Sequence, residues 1–289
     1  MPIYREILHW LVINVPSGAE IGKGQTVVPY VGSGPPEGLG LHRYVLTVFK
    51  QSATLSADQF DAYQARFKFS SRDFAIKFNL QLIAGNLYQA QTDDFLRARN
   101  AKALDDALRL HQVIPDLLDA APQQAAVVFY SSGAFIRSGN ELTPTQVKDI
   151  PAKILWRAEK DSLYTVMLVD ARNAETRSNG GDILHWLVVN SPENAVEKGD
   201  TRVEYIGSGP PKAVGINRYV FLIFKQAGLL NLTTERTSNS SISGRMNFDL
   251  KGFIKENGLQ ELVAANFFRS SYDDYVPQLF KQLGLETPH

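Results

Sequence analysis

Tyr30–Gln51 reads YVGSGPPEGLGLHRYVLTVFKQ, and Tyr205–Gln226 reads YIGSGPPKAVGINRYVFLIFKQ. Thirteen of the 22 aligned positions are identical, at an offset of 175 residues. About twenty residues upstream of each block lies a second match, ILHWLVIN at 7–14 and ILHWLVVN at 183–190, which differs at a single position. Self-similarity at one long spacing implies a repeated domain-sized unit rather than a short solenoid repeat.

The punctuation inside the first block and its flanks predicts strands. LHWLVINV, VVPYV and RYVLTVF are β-branched and aromatic runs separated by PSGAEIGKGQ and GSGPPEGLG, the pattern of an antiparallel sheet. HWLVINV is nearly continuous in apolar residues, which predicts a central strand buried on both faces. Residues 52–69 read as loop and short helix, 72–83 as a helix, and 87–91 as a strand. The Ala-, Leu- and Arg-rich stretch 93–118 reads as a helix ending near Pro115 and connecting the two units. Beyond Ala125 the strand pattern resumes in AVVFY, KILWRA and LYTVMLVDA. After the second block come a helix capped by Asn247, the strand VAANFFRSS, and a final helix with Tyr275, Leu279, Phe280 and Leu283 on one face. The two copies are unequal: about three strands precede the second ILHWLV element, whereas the first copy starts almost on its own.

Composition bounds the function. The 289 residues are 44% hydrophobic and 21% charged, ordinary values for a globular protein. Lys plus Arg and Asp plus Glu are 30 each, so no bulk charge draws the chain to nucleic acid or to an anionic membrane, and any anion specificity must be local. The absence of cysteine removes disulfides, thiolate nucleophiles and cysteine-containing zinc sites. The opening MPIYREILHW does not have the form of a signal peptide and no run of 18 apolar residues occurs, so the expected setting is cytoplasmic with no transmembrane segment. The sequons at Asn231 and Asn239 would matter only in a secreted chain.

Enzyme motifs fail on spacing. Val31 and Ile206 stand where G-x-S-x-G needs its first glycine, so Ser33 and Ser208 are not nucleophile elbows. GAEIGKG at 18–24 lacks the P-loop spacing and its Ser/Thr. Five histidines form no metal-ligand cluster in the sequence, and no cofactor is implied. Asp93, Asp94, Asp273 and Asp274 read as solvated or helix-capping acids. A lone histidine on an apolar strand is more often a satisfied core residue than a ligand group, and that alternative stands beside a binding role for His9 and His185.

HWLVxN, Y[VI]GSGPP, GLHRYV at 40–45, YQAQTDDF at 88–95 and SYDDYVPQLFKQL near the C-terminus together resemble the phosphatidylethanolamine-binding protein family, also called Raf kinase inhibitor proteins. NELTPTQVKDIP at 140–151 and HQVIPDLLDAAP at 111–122 resemble the family's N-terminal region. The resemblance implies an all-β-dominated fold, a duplicated antiparallel β-sandwich with a few peripheral helices, its units being residues 1–104, truncated at their start, and 105–289, full length. It also implies a small pocket for an anionic group, such as a phospholipid head group or phosphate, and a rim offered to a partner kinase or protease. Carried over residue by residue, the first copy supplies Tyr4, His9, Gly32, Gly34, Pro35, Pro36, His42 and Tyr44. The second supplies Asp170, His185, Gly207, Gly209, Pro210, Pro211 and Tyr219. The family's D-P-D-x-P turn is missing from the first copy and reads DARNA at 170–174 in the second. The histidine of H-R-Y has become Asn217, and the C-terminal helix tyrosine appears as Phe280.

These residue types suit an anion. Glycines let a ligand approach main-chain N–H groups, and paired prolines stiffen the turn. An imidazole, titrating ordinarily near ~6.5, donates from two nitrogens when charged, so an intact pocket should bind phosphate more tightly as pH falls toward 6. Asn217 keeps a donor but loses that charge, which predicts weaker binding in the second copy. Two readings follow: a non-enzymatic anion-binding protein, or a vestigial interaction scaffold whose degenerate pockets bind nothing.

Overall fold

The computed structural model describes residues 5–172, 181–259 and 261–286, leaving aside the side chains of 62, 64 and 65. Two compact units meet in sequence at Thr92/Asp93. The expected boundary at 104/105 falls inside a helix, Asp94–Leu110, capped by Asp93, whose carboxylate accepts the Leu96 N–H. Leu104 and Leu108 of that helix are fully buried in the core of the second unit, which is why the whole helix belongs there.

Unit 1 contains β1 (Leu11–Ile13), β2 (Gln25–Val28), β3 (His42–Lys50), α1 (Ser71–Lys77) and β4 (Gln81–Ala90). The three expected strands are present, but they form two separate ribbons, β1–β2 and β3–β4. The helix expected over 72–83 stops at Lys77 because Phe78 caps it and Asn79 turns to φ 48°, and β4 therefore starts at Gln81. Ile13, Phe60 and Phe74 make a small core, joined by Tyr63, Phe69 and Phe78. β1 is only partly buried, against the expectation of a central strand covered on both faces, since its one strand partner among the described residues is β2.

Unit 2 begins with α2 (Asp94–Leu110) and α3 (Val113–Asp116), followed by the short strands β5 (Gln124–Ala125), β6 (Val127–Phe129), β7 (Asn140–Glu141) and β8 (Lys153–Leu155). β9 (Leu163–Ala171), β10 (Ile183–Pro192), β11 (Asp200–Val203), β12 (Asn217–Lys225), α4 (Leu250–Glu256), β13 (Glu261–Ser270) and α5 (Val276–Gln282) complete it. A seven-stranded sheet runs β11-β10-β9-β12-β13-β5, with β7 also paired to β13. Here HWLVVN does lie on a central strand, between β9 and β11. Asp249, not Asn247, caps α4, accepting the Gly252 N–H; Asn247 instead adopts φ 56° and accepts from Gly181.

Alternation along the strands sends side chains to two cores. Val166, Leu168, Trp186, Val188, Tyr219 and Phe221 pack with Val128 of β6 and Ile154 of β8 on one face. Met167, Val169, Leu187, Val220 and Leu222 pack with Leu104, Leu108 and Val113 of the helices on the other. No described helix is long and apolar enough to cross a membrane.

Candidate binding sites beside the two GSGPP loops

In unit 2 the sheet carries the site. β9 and β12 pair Asp170 opposite Tyr219, and Asn217 Nδ2 donates to Asp170 Oδ2 at 2.9 Å. Burial raises the Asp170 carboxyl to about 6, partly opposed by Asn217 and by Arg172. Asp170 Oδ1 is buried with no hydrogen-bond partner among the described residues. Arg172 is half-buried and its Nε is also buried without a partner there, so it faces inward.

His185, on β10, is 4% exposed, and its Nδ1 lies 3.2 Å from Ile206 O and 3.0 Å from Gly207 O. Carbonyls only accept, so neutral His185 carries its proton on Nδ1 and leaves Nε2 as an acceptor. Burial lowers its pKa to about 4. The expected strengthening of anion binding near pH 6 therefore has no imidazolium to draw on in this unit. Tyr219 is fully buried, meets His185 edge-on with ring centroids 5.2 Å apart, and accepts the Gly209 N–H on its hydroxyl at 3.3 Å.

The GSGPP loop of unit 2 is pinned from both sides. A Cβ on Gly207 would lie 2.8 Å from Val147 O, and one on Gly209 would lie 2.6 Å from Leu279 Cδ2 of α5. Ser208 Oγ bonds Ser270 Oγ at 2.9 Å, Pro210 is buried, and Pro211 is half-buried. Phe280 is half-buried near Gly209, 4.0 Å from the position of that added Cβ. The structure thus gathers Asp170, His185, Gly207, Gly209, Asn217, Tyr219 and Phe280 around one loop, but as an acceptor-rich, closely packed group.

Unit 1 repeats part of this geometry in the open. His9 Nδ1 is 2.8 Å from Val31 O, His9 meets Tyr44 edge-on at 5.1 Å, and the Gly34 N–H donates to the Tyr44 hydroxyl at 3.3 Å. His42, two residues before Tyr44 on β3, shares its face of the strand. His9, His42 and Tyr44 are half-buried, Gly32 and Gly34 exposed, Pro35 buried and Pro36 half-buried. Burial still raises the Tyr44 hydroxyl above its ordinary range. Tyr30 is 62% exposed, whereas its counterpart Tyr205 is 9% exposed and bonds Val147 O at 2.7 Å. Tyr4 lies outside the described residues.

One pair of positions that brace the two sites escaped the sequence reading. Arg245 is fully buried and donates to Ser241 O, Leu184 O, His185 O, Glu204 O and Ser238 O, bracing the histidine strand against the segment before the loop. Arg66 donates to Leu8 O, His9 O and Pro29 O in unit 1. No motif flanks either arginine; the only signal was that each follows its GSGPP block at a comparable distance. Two clefts lie elsewhere: about 310 Å³ lined by Arg66, Lys68, Ser70 and Lys77 among others, and about 170 Å³ lined by Thr201, Glu204, Arg236, Thr237 and Ser238.

The chain is 37% identical over 174 residues to the Putative odorant-binding protein A5 of Drosophila melanogaster, covering 60% of this chain and 82% of the relative. It is 31% identical over 160 residues to a 26 kDa secreted antigen of Toxocara canis, covering 55% and 60% respectively. Among solved structures it is similar to the CG7054 solution structure, at 39% identity and a TM-score of 0.50, over 60% of this chain and 98% of that one. The carboxypeptidase Y inhibitor complexed with its cognate proteinase is 25% identical with a TM-score of 0.50, over 60% and 97%. The sequence model of the phosphatidylethanolamine-binding protein family matches residues 2–89 and 131–268, and the chain belongs to that family.

Proposed function

We propose that the protein is a non-enzymatic binding module in which unit 1, not unit 2, takes a small oxyanion such as phosphate or a phospholipid head group. The observation that carries this reading is the contrast in burial between the histidines of the two copies. Unit 2 sets a buried carboxylate, Asp170, and a neutral acceptor, His185 Nε2, where an anion would lie. In unit 1 the two imidazoles, His9 and His42, reach solvent.

The chemistry follows from the tautomer. With Nδ1–H held by Val31 O, His9 offers an acceptor when neutral and a second donor, Nε2–H, when protonated. Phosphate therefore favours the protonated ring, and binding strengthens on acidification. Unit 2 is then the vestigial member of the pair, retaining the loop and losing the anion.

Phosphate titration of the full chain, followed by NMR of the histidine ring C–H resonances at pH 6 and 7.5, tests this. Saturable shifts of His9 and His42, larger at pH 6 and without movement of His185, are expected. Shifts confined to His185, or no saturable shift, would overturn it. The protein partner favoured by the comparisons is a protease, since the inhibitor of carboxypeptidase Y in complex with its enzyme is among the similar structures. Inhibition assays against carboxypeptidase Y check that part separately.

A further inference from the structure

We infer that unit 1 carries a binding site for an aromatic ring bearing one anionic group, in the cleft between residues 66–70 and α1. The site is separate from the oxyanion site proposed above and does not rest on it. None of His9, Gly32, Gly34, His42 and Tyr44 lines this cleft.

The floor of the cleft is a set of rings that fix one another. Tyr63, Phe69 and Phe74 are in mutual contact, with centroids 5.8 Å apart for Tyr63–Phe69, 5.4 Å for Tyr63–Phe74 and 5.4 Å for Phe69–Phe74. Phe74 is buried in the small core of the unit, and the main chain of Phe69 is tied to that of Glu6 by two bonds of 2.9 Å. Such a floor needs little reordering before an apolar plane lies on it, and ordering is one of the main costs of binding. The cleft volume, about 310 Å³, lies in the range of small-molecule sites.

The walls are cationic. Arg66, Lys68 and Lys77 line the cleft together with one carboxylate, Asp73, so it is locally positive in a chain whose formal charges cancel. Arg66 is committed to three carbonyls, but the two lysines are exposed and have no ion-pair partner among the described residues. Lys77 follows Asp73 by four residues on α1, a spacing at which opposite charges on a helix ordinarily meet. Its ammonium instead lies 5.6 Å from the Tyr63 ring centroid and 5.2 Å from that of Phe78. A ligand ring resting on the floor would bring its anionic group beside an ammonium already held over aromatic faces.

Unit 2 supplies the contrast. An offset of 179 residues relates Arg66 to Arg245, Phe69 to Phe248 and the start of α1 at Ser71 to that of α4 at Leu250. The correspondence is structural as well, since the Phe69 N–H donates to Glu6 O and the Phe248 N–H to Asp182 O. Phe74 becomes Phe253, so these two aromatic positions are kept. The charge is not: Lys68 becomes Asn247, Ser70 becomes Asp249 and Lys77 becomes Glu256. Lys68 and Asn247 share φ 56°, a left-handed conformation that asparagine adopts more readily than lysine. Unit 1 thus holds a cation at a backbone position that disfavours it, and a second that leaves its helical partner for the rings. Both features serve an anion with an apolar body.

The test titrates the full chain with naphthyl phosphate, naphthol and inorganic phosphate, read by NMR of the tyrosine, phenylalanine and histidine ring protons. Naphthyl phosphate is expected to shift Tyr63, Phe69 and Phe74 saturably, and naphthol, lacking the anionic group, to bind about tenfold more weakly. Inorganic phosphate has no ring and should leave those three residues unmoved whatever it does to His9 and His42, so the two sites can fail separately. Lys68→Asn combined with Lys77→Glu, which installs the residues of unit 2, should weaken naphthyl phosphate about tenfold or more, and Lys77→Met alone about threefold. The single variant keeps the helix and the apolar stem of the side chain, so it reads the site even where the double variant fails to fold. Three results would overturn the inference: no saturable movement of the three rings, equal binding of naphthol, or an unchanged affinity in Lys77→Met.

Discussion

Replacing Asp170 by asparagine should stabilise unit 2 at neutral pH and not in acid. The folded carboxyl holds its proton up to about pH 6, while the same group in the unfolded chain ionises near 3.8. Between those values the unfolded state has released a proton that the folded state keeps, so stability falls as pH rises through the window and stays low above it. At roughly 1.4 kcal/mol per pH unit, the deficit above pH 6 is about 3 kcal/mol. The amide of the variant cannot be ionised, and its carbonyl still accepts the Asn217 N–H that now reaches Oδ2. One introduced amide N–H left unpaired costs about 1 kcal/mol. Asp170→Asn is therefore expected to gain about 2 kcal/mol at pH 7.5 and to lose about 1 kcal/mol at pH 4, by combination of those two terms. Urea unfolding followed by tryptophan fluorescence reads this unit well, because Trp156 and Trp186 both lie in its core. An equal effect at the two pH values, or a loss at pH 7.5, would refute the reasoning and show that the carboxylate is held ionised, with Arg172 as its partner.

Three further outcomes follow from the same packing. Arg245→Met should destabilise unit 2 by about 4 kcal/mol in urea, because a buried cation leaves five carbonyls behind, and Arg66→Met should cost unit 1 about 2 kcal/mol for three half-exposed bonds. Gly207→Ala should cost about 2–3 kcal/mol because the new methyl meets main-chain Val147 O at 2.8 Å, whereas Gly32→Ala, with nothing closer than 4.0 Å, should stay within about 0.5 kcal/mol; thermal unfolding of both separates them. His185 ionises near 4 when folded and near 6.5 when unfolded, so below 6.5 the unfolded state binds a proton first and stability falls by about 3 kcal/mol toward pH 4. In the Asp170→Asn background, His185→Asn should flatten that acid slope, as measured by urea midpoints at pH 7, 5.5 and 4.

Much of the fold was legible because its signals are local. The runs LHWLV, RYVFLIF and LYTVMLVDA are β-branched and aromatic between Gly/Pro breaks, and each became a strand. Asp93 caps a helix as its position implied. What failed depended on neighbours. The same HWLV string is a central strand in unit 2 and a three-residue edge in unit 1, and only the strand beside it differs. The site divided in the same way. The loop, the histidines and the tyrosines could be placed from the motif, but the protonation of His185 and Asp170 could not, since burial by residues far along the chain sets it. Arg245 and Arg66 stayed hidden because a main-chain brace needs only one long cation, with no pattern around it.

The pair of units separates two properties that a motif alone confounds. Tyr44 and Tyr219 both accept a glycine N–H at 3.3 Å, and His9 and His185 both bond the backbone after the tyrosine, so the hydrogen-bond frame survives without the full sheet. Burial does not survive: Tyr219 is fully covered, by β9, the β6–β8 ribbon and α5 of its own unit, and Tyr44 is only half-buried. Frame and cover are thus separable, and they pull chemistry in opposite directions. Cover removes water, keeps His185 neutral and leaves Asp170 poised near 6, which disfavours an anion. The frame without cover leaves two imidazoles in reach of solvent.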